Sequence, residues 1–144
     1  MASLTAQAVI DRLGLSPHPE GGHFREIFRS PAPESERGAM TSIYFLLAEG
    51  ERSHWHRVRD ADEIWHFHAG APLVLSLSPD GSGIEKHRLG PDLMAGEEPQ
   101  VIVPRDCWQA AHSLGAWTLV GCSVGPAFDF AGFELAPPDW APTG

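Results

Sequence analysis

Short apolar runs, broken at close intervals by glycine and proline, make up most of this chain. Residues 39–48 read A-M-T-S-I-Y-F-L-L-A and are rich in β-branched and aromatic side chains, which predicts a central strand. Leu73–Ser78 alternates cleanly as L-V-L-S-L-S, and the turn Pro79-Asp80-Gly81-Ser82-Gly83 after it signals a hairpin into residues 84–89. The same reasoning predicts strands over residues 23–30, Gln100–Val103, 108–112, 117–124 and 128–135. Helical spacing occurs once, where Ala6, Val9, Ile10 and Leu13 fall on one face between Thr5 as cap and Gly14 as stop. Roughly nine short strands with one leading helix predict an all-β sandwich or barrel.

Composition agrees with that picture. The 15 glycines and 13 prolines among 144 residues exceed the roughly 12% these two types make in an average protein, and they are dispersed as turn punctuation. The length fits one domain, residues 1–144, with a helical lead-in over 1–16 and an irregular tail over 136–144. A net charge of −9 with ten Lys and Arg argues against nucleic-acid and anionic-membrane partners, which need a positive footprint. Two cysteines, Cys107 and Cys122, sit in apolar settings at a spacing that matches no metal or redox motif, so buried thiols are expected. With no basic, then apolar, start to the chain, a cytoplasmic location is the expectation.

Candidate chemistry concentrates in residues 53–70, S-H-W-H-R-V-R-D-A-D-E-I-W-H-F-H-A-G, which hold four of the eight histidines. Two strands joined by a turn at residues 59–62 would put His54 and His56 on one face, because strand side chains alternate with period two, and Glu63 would meet them from the return strand. Two imidazoles and a carboxylate are the donor set of an open site for iron, manganese, zinc, nickel or cobalt. The alternation puts Trp65 and Phe67 beside Glu63, as pocket walls or as packed core aromatics, and turns His66 and His68 away. Tyr44, the only tyrosine, is a candidate acid or a packed strand residue with a satisfied hydroxyl. His18 and Glu20 fall in the loop S-P-H-P-E-G-G, from which they could reach a site, and read first as solvated loop residues.

These residues resemble the first motif of the cupin superfamily, a His-x-His pair followed by a glutamate and, after six intervening residues, a glycine: His54, His56, Glu63 and Gly70. The gap from His56 to Glu63 is longer than usual, which leaves Asp60 and Asp62 as other acidic candidates. For the second motif, Gly96 and Pro104 fit, Asp106 stands where glycine is usual, and Gln109 takes the place of the third histidine ligand. The runs P-H-P-E-G-G-H-F-R-E, E-I-W-H-F-H-A-G, P-Q-V-I-V-P and T-L-V-G-C-S-V look like a small single-domain cupin branch of unknown function, in which glutamine at this position is usual. The resemblance implies a double-stranded β-helix, a jelly-roll barrel, and a homodimer.

Three functions follow as expectations. In the first, His54, His56, Glu63 and Gln109 hold a divalent metal that acts on a small polar metabolite. In the second, a metal-free epimerase or isomerase resembling sugar-nucleotide enzymes uses His54 or His56 as base and Tyr44 as acid. In the third, Trp65, Phe67, Trp108 and Phe128 line a pocket that binds a small molecule without chemistry.

Overall fold

The computed structural model describes residues 4–143; residues 1–3 of the lead-in and residue 144 of the tail lie outside the described residues. One helix, α1 (Ala6–Leu13), precedes eleven strands: β1 (Ser16–Pro17), β2 (His23–Arg29), β3 (Thr41–Ala48), β4 (Arg52–Val58), β5 (Asp62–Gly70), β6 (Leu73–Ser78), β7 (Glu85–Leu89), β8 (Gln100–Val103), β9 (Trp108–Ser113), β10 (Trp117–Gly125) and β11 (Phe133–Leu135). Their antiparallel pairing gives one sheet in the order β1-β2-β3-β10-β5-β8 and a second in the order β11-β4-β9-β6-β7. Neighbours far apart in sequence, such as β3 with β10 and β4 with β9, make this the expected jelly-roll barrel.

The core lies between the sheets and follows from strand alternation. Phe45, Leu47, Trp65, Val101, Val103, Val120 and Cys122 reach in from the first sheet to meet Leu73, Leu75, Leu77, Leu89 and Ala111 of the second. On the outer face of the first sheet, α1 packs Val9 with Leu15 against Leu46. Thr5 caps this helix by accepting from the Ala8 N–H at 3.1 Å, and Gly14 ends it in the left-handed conformation at φ 67°. On the outer face of the second sheet, the tail lays Ala136 and Trp140 over Trp55 and Trp108. Among the described residues, no helix is long and apolar enough to cross a membrane.

One predicted strand is largely absent. Residues 128–135 contain a 3₁₀ turn at Phe130–Gly132, capped by the Asp129 carboxylate accepting from the Ala131 N–H, and only Phe133–Leu135 pairs, with β4. Three phenylalanines and a leucine suggested a strand; the local Asp129 cap and Gly132 win over that preference.

Candidate functional site

A bulge in β4 decides which histidine faces the interior. Ser53 pairs with Ala111 and His56 with Gln109, so three steps along β4 match two along β9. The extra residue breaks the period of two. Ser53 and His56 therefore both point between the sheets, while His54 and Trp55 point outward. His54 is tied outside to the Pro137 carbonyl oxygen at 2.8 Å and to an Arg52 Nη2 at 3.0 Å, and Trp55 packs on Trp140. The expectation that His54 and His56 share a face is corrected.

His56 is buried, with 3% of its side chain exposed. Its Nδ1 lies 2.7 Å from the His54 carbonyl oxygen, which can only accept, so the proton sits on Nδ1 and Nε2 is left bare. That bare nitrogen is 3.4 Å from Oε2 of Glu20. Burial lowers the pKa of His56, with the neighbouring His54 carbonyl and Glu63 opposing, so the neutral ring is the resident form near neutrality.

Glu20 and His18 overturn their reading as solvated loop residues, with side-chain exposures of 9% and 6%. The loop is drawn in by backbone bonds: His54 N–H donates to the Glu20 carbonyl at 2.8 Å, and His18 and Gly22 pair across the turn. Gly21 and Gly22 make this possible with φ of 109° and 78°; a Cβ at Gly21 would run into the Arg52 carbonyl, and one at Gly22 would come within 2.8 Å of the Leu46 carbonyl. Glu20 Oε2 accepts from Ser53 Oγ and Oε1 lies 3.3 Å from His18 Nδ1. Burial pushes the Glu20 carboxyl up to about 6, against the pull of His18 and the Ser53 hydroxyl. Burial also lowers the pKa of His18, whose ring sits edge-on to Phe24 at 4.5 Å.

Glu63 joins the cluster from β5, buried with 8% exposure. Its Oε1 accepts from the Gln109 amide nitrogen at 2.8 Å, while Gln109 Oε1 accepts from the Trp65 indole N–H at 2.9 Å. An indole N–H can only donate, which fixes the amide orientation chemically. The oxygen expected to ligate a metal is therefore committed to Trp65, and Gln109 instead orients Glu63. Burial raises the pKa of Glu63, and of the adjacent Cys122 thiol well above its ordinary range.

The expected four-donor metal set is not assembled: His54 turns away, and Gln109 is bonded through its oxygen to Trp65 and through its nitrogen to Glu63. Among the described residues no three of His, Cys, Asp and Glu stand in a metal-holding arrangement. Asp60 and Asp62 pair on the rim with Arg37 at 2.7 Å and Arg105 at 3.2 Å, so neither replaces Glu63. Tyr44 points out of the barrel, packed with the helix cluster and 6.2 Å from the His68 ring centroid, so it cannot serve this pocket.

His56, Glu20, Glu63 and His18 form the polar floor of a pocket walled by Phe24, Ile43, Val58, Val124 and Phe133. Phe128 and Phe130 stand at its mouth with Arg29. Phe128 is the expected aromatic found there. Trp65 and Phe67 belong to the packed core behind Gln109, and Trp108 faces outward beneath the tail with Arg57 over its ring at 4.5 Å; their assignment as pocket walls is corrected. The enclosed volume of about 90 Å³ is several times the roughly 10–15 Å³ that one water needs, room for a small organic group.

A family model described as Cupin superfamily (DUF985) matches residues 7–136. The chain is similar to the crystal structure of protein SO0799 from Shewanella oneidensis, at 43% identity over 93% of this chain and 85% of that one, with a TM-score of 0.86. A hypothetical protein from Leishmania major is 33% identical over 92% of this chain and 88% of its own, with a TM-score of 0.84. A dTDP sugar isomerase from Desulfovibrio desulfuricans shares the fold, at 16% identity over 83% of each chain and a TM-score of 0.59. No curated protein matches the chain.

Proposed function

We propose, from the premise that this chain belongs to the cupin superfamily in its DUF985 family, that it is a proton-transfer enzyme for a small carbonyl-bearing metabolite, with His56 as base and Glu20 as its proton partner. The observation that carries this reading is the bare Nε2 of His56 facing Glu20 at 3.4 Å on the floor of a pocket. That separation is longer than a normal hydrogen bond, so a ligand atom has access to Nε2.

In the step envisaged, Nε2 takes a proton from the carbon next to the carbonyl, and the C–H electron pair moves to the carbonyl oxygen as an enolate. Ionised Glu20 stabilises the imidazolium so formed and can receive its proton. Return of the proton from the same pair, to the carbon it left or, where that carbon bears a hydroxyl, to the former carbonyl carbon, gives exchange or the isomer. The Ser53 hydroxyl donates to the Glu20 carboxylate, the Glu20 backbone N–H donates to Nδ1 of His18 at 3.1 Å, and Gln109 holds Glu63. A base of this kind contributes about 10²–10⁴-fold when its pKa lies near the working pH; burial brings the Glu20 carboxyl up to about 6 and keeps the His56 ring in its neutral, proton-accepting form.

Solvent exchange tests the reading. Incubation with a series of 2-oxo acids, their esters and aldoses in D₂O, followed by proton NMR, should show deuterium entering beside the carbonyl of at least one compound faster than in buffer. Compounds that shift pocket resonances yet exchange only at the buffer rate would contradict the enzyme reading and leave a binding protein.

A further inference from the structure

The pocket floor is acidic and its walls are apolar, yet its mouth carries a cation. Arg29, from the end of β2, is the one Arg or Lys among the described residues lining the pocket. A bulge in β2 places it there: the register with β3 shifts between Glu26 and Phe28, so Glu26 and Arg29 both turn toward the pocket.

The guanidinium is held ready. Its Nη1 donates to the Phe128 carbonyl at 3.0 Å, which ties it to the segment carrying the mouth aromatics. Its Nε and Nη2 donate to the two oxygens of Glu26 at 3.3 and 2.7 Å, the fork geometry that a carboxylate takes on arginine. Asp129 adds a further negative charge nearby. Arg29 and Glu26 are both substantially exposed, at 48% and 39%, and an ion pair in that setting contributes about 0–1 kcal/mol. An incoming anion can therefore take the place of Glu26 at little loss.

Phe128 and Phe130 flank this arginine, and the same three residues border the wider groove beneath residues 30–38. Phe130 is 57% exposed and packs edge-on against Phe128 at 4.8 Å, so it presents an aromatic face at the mouth. Cationic, apolar and proton-accepting features thus follow one another from mouth to floor.

We propose that Arg29 is the specificity-determining residue and that the substrate class is a small carboxylate with an apolar body, its acid group on Arg29, its hydrocarbon part against Phe128, Phe130 and Phe133, and its reacting carbonyl toward His56. Glu26 is an internal carboxylate that occupies the fork until the ligand arrives. This assignment rests on the pocket being the ligand site proposed above.

Calorimetric titration with 2-oxobutanoate, 2-oxo-3-phenylpropanoate and the methyl ester of each tests it. In the wild type, the acids should bind at least tenfold more tightly than their esters, the range expected when a charge-assisted pair is lost. Arg29→Gln should weaken the acids by about the same factor and leave the esters unchanged, with Arg29→Lys between them. Glu26→Gln should tighten the acids. Circular dichroism of each variant reports folding, and Arg29→Lys and Glu26→Gln keep the comparison intact if Arg29→Gln misfolds. Equal binding of acid and ester, or equal loss of both in Arg29→Gln, would overturn the assignment of Arg29 alone. Binding of neither would overturn this inference together with the pocket reading.

Discussion

Glu20→Gln is expected to be more stable than the wild type at pH 8 and to lose most of its proton-exchange activity. The carboxyl of Glu20 is raised from 4.5 to about 6 by burial. A raised carboxyl binds more protons in the folded than in the unfolded chain, so its favourable contribution is complete below pH 4.5 and is lost as pH rises through about 6. Above that window the buried carboxylate destabilises the fold by about 2 kcal/mol, and a neutral glutamine relieves this. With the amide oxygen in the place of Oε2 the variant still accepts from Ser53, and the amide nitrogen in the place of Oε1 can donate to Nδ1 of His18. Denaturant melts of both proteins at pH 8 and pH 4.5 should show the advantage of the variant at the higher pH and its disappearance at the lower one. Burial of His56 acts in the opposite sense, removing stability as pH falls below 6.5, so the variant and the wild type are compared at the same pH. Exchange should fall by about 10²-fold or more, because the imidazolium loses its counter-charge. Stability gained where activity is lost is what a strained functional group predicts.

His54 and His56 should behave as unrelated residues although they stand two apart. His56→Gln is expected to reduce exchange by about 10²-fold or more, since it removes the bare imidazole nitrogen that faces Glu20 Oε2 on the pocket floor. His54→Gln should keep exchange within about twofold and destabilise by about 1 kcal/mol, the worth of its hydrogen bonds to Pro137 and Arg52. Exchange rates, thermal melts and bound-metal content of the two variants check this. Equal losses of activity and of metal in both would restore the histidine pair as a joint metal site.

Much of the barrel is legible in the chain because strand alternation and turn residues act locally. Leu73–Ser78 and Gln100–Val103 fall where their patterns place them, and α1 follows its Thr5 cap and Gly14 stop. Alternation along β5 also separates Glu63 and Trp65 from His66 and His68 correctly. The site is less legible because it depends on departures from local rules. A one-residue bulge, set by pairing with β9, reverses His54, and no periodicity announces it. Gln109 could be placed by its position in the strand, but its amide orientation depends on Trp65, which is 44 residues away in sequence. Glu20 was hidden in a loop of prolines and glycines. The available signal was the Gly21-Gly22 pair directly after a carboxylate, which allows that backbone to pack closely against β3 and β4 and carries Glu20 inside.

Histidine and carboxyl NMR across pH 4 to 9 tests the Glu20–His56 pair most directly. Nitrogen shifts of His56 should report a protonated Nδ1 and a bare Nε2 at pH 8, and the carboxyl carbon of Glu20 should titrate near pH 6. The transition near pH 6 at the His56 ring should vanish in Glu20→Gln. A Glu20 carboxyl titrating at 4.5 beside a His56 ring titrating independently at 6.5 would contradict the account, because the two groups would then be solvated and share no proton.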